Sequence, residues 1–437
     1  RDLRMSRGLG DVYKRQVDKE QWYKAPISSM DDLHGDLRGI IEHLDHVQNL
    51  GIDVLYMTPI FQSNSCHKYD TTDYYQIDPS FGTTEDLKEL VQKAHERGMK
   101  VVLDAVYNHT GREFFAFADI LENGEKSKYR DWYFIDGFPL KSEWGEIPNF
   151  KCFGYYGGMP KLNLKNPEVE KYITDVACYW IKECDIDGWR LDVGDEISHF
   201  FWKNFRKAVK AVKKDMLIIG EIWHYAGDFL EGDEWDTVMN YPFYLNLIDL
   251  LADEKITVSQ FVQNLGYLKG RLHKNCYPLM WNLIDSHDTA RFLHLCNDNK
   301  KKQHLAAAFQ LLLPGMPMIY YGDEYAMPGA NDPDCRRGMY WDEEYQDKEM
   351  YEWYKRLIQV RKSHACIVEG ELAGSVTEDE EGTIVLIRKN GEETIAMIFN
   401  CSSSAKKFNE YTQKYNLLTE NTFDGNVEGF DAAVIVL

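Results

Sequence analysis

Two hydrophobic periods alternate along the first three quarters of the chain. Leu37, Ile40, Ile41, Leu44, Val47 and Leu50 fall on one helical stripe, and Gly51 stands where a helix C-cap belongs. The short β-branched run from Ile52 to Met57 predicts a strand. A second helix is predicted from Glu85 to Arg97, opened by Thr83 or Thr84 and closed by Gly98, followed by a strand from Lys100 to Leu103. The same reading gives helices over Pro167 to Lys182, Ile197 to Val212, Val258 to Leu272, Lys302 to Leu313 and Glu344 to Lys362. Between them lie strands over Gly188 to Leu191, Leu217 to Ile219, Thr237 to Met239, Leu279 to Ile284 and Met318 to Tyr321.

Strands alternating with helices imply a parallel sheet, and this many units predict an α/β fold of the (β/α)8 barrel type, with a doubly wound sheet as the alternative. The strand that should precede the Leu37 helix is missing. The stretch from about residue 110 to 165 is too long for a strand-to-helix loop and is expected to form a small inserted subdomain over the strand ends. From about residue 366 the pattern changes to short alternating runs, Thr383 to Arg388, Thr394 to Phe399 and Ala432 to Leu437, with the turn Lys389-Asn390-Gly391. The expected organisation is a catalytic barrel over 17–365 lacking its first strand, then a C-terminal antiparallel β-sandwich domain over 366–437.

Residues 1–16 (RDLRMSRGLGDVYKRQ) have neither period. They resemble read-through of a sequencing adaptor and are set aside as a non-native stretch. Composition then narrows the classes of partner. A net charge of -21 repels nucleic-acid backbones and anionic lipids. No apolar run is long enough to span a membrane. The nine cysteines form no CxxC pair or zinc-spaced cluster, which points to reduced thiols and a cytoplasmic setting.

In a barrel the C-terminal ends of the strands share one rim, so polar residues just past each strand converge. Those residues are Asp104 with Asn108 and His109, Arg190 with Asp192, Glu221 with Trp223 and His224, and His287 with Asp288. Like charges brought together raise one another's pKa, and folding gains nothing from Asp192, Glu221 and Asp288 meeting. A glycosidase does gain, because it needs one ionised carboxylate as nucleophile and one protonated carboxyl as acid. Asp192, two residues from Arg190 along a strand, is expected to stay ionised and attack. Glu221, between apolar residues, is expected to hold the proton, and Asp288 to bind sugar hydroxyls. His109 and His287 are candidate donors to the sugar, and Asp104 would orient His109 or Arg190. Tyr69, Tyr107, Tyr155, Tyr156 and Trp223 are candidates to stack on sugar faces.

The segments DAVYNH (Asp104 to His109), GWRLDV (Gly188 to Val193), GEIWH (Gly220 to His224) and DSHDT (Asp285 to Thr289) resemble, in order, the four signature regions of the α-amylase family. Met159-Pro160-Lys161-Leu162-Asn163, His67-Lys68-Tyr69-Asp70-Thr71 and Asn331 to Arg336 resemble its neopullulanase, cyclomaltodextrinase and maltogenic amylase subgroup. The resemblance implies that Asp192 is the nucleophile, Glu221 the acid/base and Asp288 the transition-state stabiliser. It places Arg190, His109 and His287 on the reacting glucose, with Tyr69 as its platform. Asp332 and Arg336 would bind sugars toward the non-reducing end, and Trp223 and His224 would line the acceptor side. The implied activity is retaining hydrolysis of α-1,4 and α-1,6 glucosidic bonds in cyclomaltodextrins, pullulan or maltooligosaccharides. The alternatives are an oligo-1,6-glucosidase, a glucanotransferase or a non-catalytic glycan-binding relative.

Two departures stand out: Gly194-Asp195-Glu196 replaces the subgroup's usual Ala-Asn-Glu, and Asp285 stands where glycine is usual. The subgroup's calcium loop follows the missing strand, so no metal is expected in this chain and Ca2+ would belong to the complete protein. Asn108 corresponds to a ligand of the family's other calcium site. The complete protein is expected to dimerise through the subgroup's N-terminal β-sandwich, which is absent here.

Overall fold

The structure, a computed structural model, describes residues 19–28, 31, 33–141 and 147–437. The expected non-native stretch lies outside the described residues. The central sheet contains β1 (Val54–Met57), β4 (Lys100–Ala105), β5 (Gly188–Leu191), β6 (Leu217–Gly220) and β7 (Thr237–Val238), all parallel, while β2 (Phe61–Ser63) and β3 (Thr71–Ile77) form a hairpin above it. A parallel bridge from Met239 to Trp281 continues the sheet to β8 (Trp281–Asn282), which pairs in parallel with β9 (Met316–Pro317). Helices follow the strands and cover the outside, as β-α alternation demands, so the chain is a (β/α)8 barrel.

No ladder joins β9 to β1 among the described residues. Both edges show it in their burial. Every residue of β5 is buried, whereas Val54, Leu55, Tyr56, Met316 and Pro317 are only half-buried. A cavity of about 350 Å3 runs along this seam between Val54–Met57 and Met316–Tyr321. The strand expected to be missing would stand between these two edges.

Several boundaries differ from the sequence reading. The stripe from Leu37 to Leu50 is two helices, Leu37–Glu42 and Leu44–Leu50, broken at His43. The His43 ring leaves the helical path to bond Gly39 O (2.8 Å) and stack on Trp341 at 3.8 Å. The last barrel strand pairs at Met316–Pro317, before the predicted run from Met318. The helix predicted from Glu344 starts at Lys348, where Asp347 caps it by accepting from Met350 N. A helix over Tyr241–Leu247 was not foreseen, because its apolar Leu245 is exposed and its polar Asn246 is buried, so the sequence carries no amphipathic stripe.

The segment after β4 forms the inserted subdomain, with helix Phe115–Asn123 and bridges pairing His109 with Lys161 and Tyr133 with Leu162. In the C-terminal part, residues 371–378, 383–390, 393–400 and 431–436 form an antiparallel sheet completed by two short strands. Side chains alternate across it. Ile384, Leu386, Met397 and Phe399 pack on the barrel helices, and Val385, Ile398 and Ile435 pack under a two-stranded ribbon with Phe408 and Val427. No disulfide joins the nine cysteines, and among the described residues no helix is long and apolar enough to cross a membrane.

Candidate active site

Register fixes the centre of the site. Asp104 lies opposite Arg190 in the β4–β5 ladder, and the next bonds, Asp192 N to Ala105 O and Glu221 N to Leu191 O, seat both carboxylates on the same rim. Arg190 is fully buried and serves three carboxyl groups. Its Nη1 donates to both oxygens of Asp104 (3.0 Å each) and to Asp192 Oδ1 (2.9 Å), while Nη2 lies 2.7 Å from Glu221 Oε2, off the hydrogen-bonding direction. The expected Arg190–Asp192 pair is present, but it is part of a larger cluster. Burial pushes Asp192 above the usual carboxylate range, Arg190 pulls it back, and Glu221, Asp104 and Asp288 push it up again. Asp104 is raised by burial in the same way, and Tyr56 Oη donates to it at 2.8 Å.

Glu221 sits in a more polar setting than its apolar sequence neighbours suggested. Besides Arg190, its carboxylate accepts from Val193 N (3.0 Å) and Trp223 Nε1 (3.0 Å). The Val193 contact depends on a strained backbone. Val193 is β-branched yet left-handed (φ 47°, ψ 44°), a conformation that costs about 1–3 kcal/mol and turns its amide toward Glu221. Gly194 completes the turn, since a Cβ there would meet the Trp235 ring at 2.8 Å. Trp223 lies stacked on Tyr241 (3.9 Å, 13°) and stays 40% exposed, so one indole face is open beside Glu221.

Asp288 is the most exposed of the three carboxylates at 30%, and burial together with the Glu221 charge brings its pKa up to about 7. Arg336 holds its loop by donating Nε to His287 O (2.7 Å), with Nη2 3.4 Å from Asp288 Oδ1. Arg336 also pairs with Asp332 (2.8 Å), half exposed at the cleft edge. Tyr69 lies parallel to His287 (5.8 Å, 6°) and its Oη contacts His287 Nε2 at 2.6 Å and Asp104 Oδ2 at 3.2 Å. Burial and the Arg336 and Arg190 charges hold His287 well below the usual histidine range, so it is neutral. His109 is also neutral, lowered by burial to about 4, and its Nε2 meets Tyr69 O (3.0 Å). That ring nitrogen therefore faces the backbone.

The structure brings Tyr69, Asp104, Arg190, Asp192, Glu221, Trp223, His287, Asp288 and Arg336 together, with His109 beneath Phe153 at the border. His224 stands outside this cluster, 69% exposed and 3.1 Å from Asp195. One expectation is corrected: Tyr107 is wholly buried among Tyr74, Trp189 and Phe205 and cannot meet a sugar. Tyr155 and Tyr156 are exposed on the inserted subdomain. Sequence reading missed Tyr56, the Val193 amide and Phe153. Tyr56 carried a usable signal, being two residues from a strand's inward Val54. The Val193 amide carried none, because backbone donors have no sequence signature. At Asn108 the donor set does not fit a cation: Oδ1 accepts from the Lys161 ammonium at 2.5 Å, and Lys161 also pairs with Glu196 at 2.8 Å.

Comparison with known proteins gives a consistent picture. A cyclomaltodextrinase of Geobacillus thermopakistaniensis (strain MAS1) is 48% identical over 85% of this chain and 63% of its own length. Neopullulanase 2 of Thermoactinomyces vulgaris is 43% identical over 90% of this chain and 67% of its own. A solved cyclomaltodextrinase structure superposes with a TM-score of 0.90 at 40% identity, covering 94% of this chain and 72% of that one. The chain thus spans about two thirds of the length of these relatives. The Alpha-amylase family, described as "Alpha amylase, catalytic domain", matches residues 15–370, and the chain belongs to that family of (β/α)8-barrel glycoside hydrolases.

Proposed function

We propose that the protein is a retaining α-glucan hydrolase that opens cyclomaltodextrins and cleaves α-1,4 and α-1,6 bonds in pullulan or maltooligosaccharides. The observation that carries this reading is a single buried guanidinium holding Asp104, Asp192 and Glu221, with Asp288 beside them, at the rim of a barrel. So many carboxyl groups around one cation retain at least one proton near neutrality, so the site offers an anion and an acid together.

Glu221 gives its proton to the glycosidic oxygen as Asp192 attacks the anomeric carbon. The C–O bond breaks, the leaving sugar departs with the proton, and a glucosyl ester on Asp192 remains. Glu221, now a carboxylate, takes a proton from water, whose oxygen displaces Asp192 and regenerates the site. Asp288, which is divided between its protonated and ionised forms near pH 7, donates to or accepts from sugar hydroxyls, and Tyr69 packs against the ring. The open face of Trp223 and the exposed Asp195–His224 pair serve the acceptor side, and the Asp332–Arg336 pair serves the sugars beyond the reacting glucose. The protein is taken to work without a bound metal in this chain, as an intracellular enzyme like the Bacillus subtilis protein named intracellular maltogenic amylase, and in the complete protein as a homodimer.

The test is hydrolysis of β-cyclomaltodextrin, pullulan and soluble starch followed by proton NMR from the first minute. Cyclomaltodextrin is expected to be consumed faster than starch, with the α-anomer of the new reducing end appearing first. A β-anomer at first appearance overturns retention, and release of no sugar from any of the three overturns the hydrolase reading.

A further inference from the structure

Behind the loop that carries His287 and Asp288 lies a second group of buried charges that the steps above do not use. Asp285, Arg291 and Asp323 are each at most 1% exposed. Asp285 follows β8, Asp323 follows β9, and Arg291 lies six residues past Asp285. Arg291 donates from Nη1 to Tyr321 O (2.9 Å) and Asp323 Oδ1 (3.2 Å) and from Nε to Cys335 O (3.0 Å), with its guanidinium 4.4 Å from the Tyr320 ring centre. Asp285 Oδ2 accepts from Phe292 N at 2.7 Å.

The remaining oxygens, Asp285 Oδ1 and Asp323 Oδ2, are buried and receive no donor, although the two carboxyl groups lie within hydrogen-bonding reach of each other. Two bare carboxylates cannot bond to one another, and against one guanidinium they leave a net negative charge in a site without water contact. One shared proton removes both difficulties, since it makes an O–H···O⁻ bond and brings the trio to zero charge.

We infer that Asp285 and Asp323 share one proton and that this pair, clamped by Arg291, is a positioning pair that fixes the Asp288 loop against the segment carrying Arg336. Asp285 is three residues before Asp288, and the loop between is tied by Ser286 N to Thr289 Oγ1 (2.9 Å) and Asp288 N to Ser286 Oγ (3.2 Å). Arg291, bonded to Asp323, reaches the segment carrying Arg336 through Cys335 O, the segment that Arg336 itself ties to His287 O at the cleft. Burial raises both acids, Asp285 against the pull of Arg291 and Asp323 with the further push of Asp285. The other groups facing them are Glu324, committed to Gly322 N and His46, Tyr354 and Gln303 from the two helices behind, Tyr320 and Tyr321 on Arg291, and Tyr244.

The inference rests on the reading of Asp288 as part of the machinery, and it is tested with Asp285→Asn and Asp285→Ala in the full chain. An asparagine can accept from Phe292 N and donate to Asp323 without a titrating proton. A raised native pKa costs stability increasingly as pH climbs from the ordinary carboxylate value toward the raised one. Asp285→Asn is therefore expected to gain in Tm relative to wild type between pH 5 and pH 9, and to keep kcat within about threefold at pH 6. Asp285→Ala is expected to lose about 10–100-fold in kcat with KM little changed. Parallel Tm-against-pH curves for wild type and Asp285→Asn overturn the shared proton, and wild-type kcat in Asp285→Ala overturns the positioning. The Tm comparison decides the first point even if the wild-type chain cleaves no glucan, an outcome that would fall on the hydrolase reading alone.

Discussion

Asp192→Asn is expected to lower kcat for cyclomaltodextrin by about 10⁴-fold or more while leaving the fold intact. The substitution is nearly isosteric, and the new amide oxygen can still accept from Arg190 Nη1, which lies 2.9 Å from the present Oδ1. What disappears is the anion that forms the ester. The same change relieves repulsion: Asp192 is raised by burial and by Glu221, Asp104 and Asp288, so above the ordinary carboxylate range it costs stability. Its replacement should therefore leave Tm at or above that of wild type at pH 8. Losing activity without losing stability separates a nucleophile from a structural ion-pair partner. A second variant sharpens the test. Asp192→Ala opens space at the attacking face, and with azide and an α-glucosyl fluoride it should form the β-glucosyl azide, because the small anion approaches from the side Asp192 occupied. Asp192→Asn with activity within tenfold of wild type, or the α-azide from Asp192→Ala, would remove Asp192 from the role.

Much of this site was legible in the sequence because strands of a parallel barrel deliver their next residues to one rim, whatever their separation along the chain. Gly188–Leu191 matched its predicted strand, and that register alone placed Arg190 beside Asp104 and Asp192 beside Glu221. Less visible was how the charges would be divided. Sequence spacing offered Arg190 to Asp192, two residues away, whereas the folded guanidinium also reaches Asp104 across the ladder and Glu221 on the neighbouring strand. Environment was hidden for the same reason. Ile219 and Ile222 suggested an apolar surrounding for Glu221, yet its carboxylate meets a backbone amide and an indole N–H supplied by turns. The helix over Tyr241–Leu247 escaped because an exposed Leu245 and a buried Asn246 break the match between apolar residues and the inward face, and it is this helix that carries the Tyr241 platform under Trp223.

The second large effect is expected at Arg190. Arg190→Met removes the one cation bonded to Asp104 and Asp192 among the described residues while keeping much of the side-chain volume, and should cost about 3–5 kcal/mol, because the partners remain buried without it. The loss should depend on pH in a defined direction. Burial already raises Asp104 and Asp192, and Arg190 is the term that pulls both down, so its removal raises them further. A carboxyl group that stays protonated in the native state but ionises on unfolding costs more stability as pH rises. The Tm deficit of Arg190→Met should therefore be small near pH 5, where protons can replace the guanidinium, and large at pH 8. Asp104→Asn placed on top of Arg190→Met should recover part of the deficit at pH 8 and little at pH 5, since it deletes one of the stranded anions. Glucan hydrolysis by Arg190→Met should fall by about 10³-fold or more, because losing Arg190 raises the attacking carboxyl group further and leaves less of it ionised. A deficit equal at both pH values, with no recovery in the double variant, would mean that Arg190 supports the barrel by packing rather than by charge. The shared guanidinium would then not be what keeps Asp192 ready to attack.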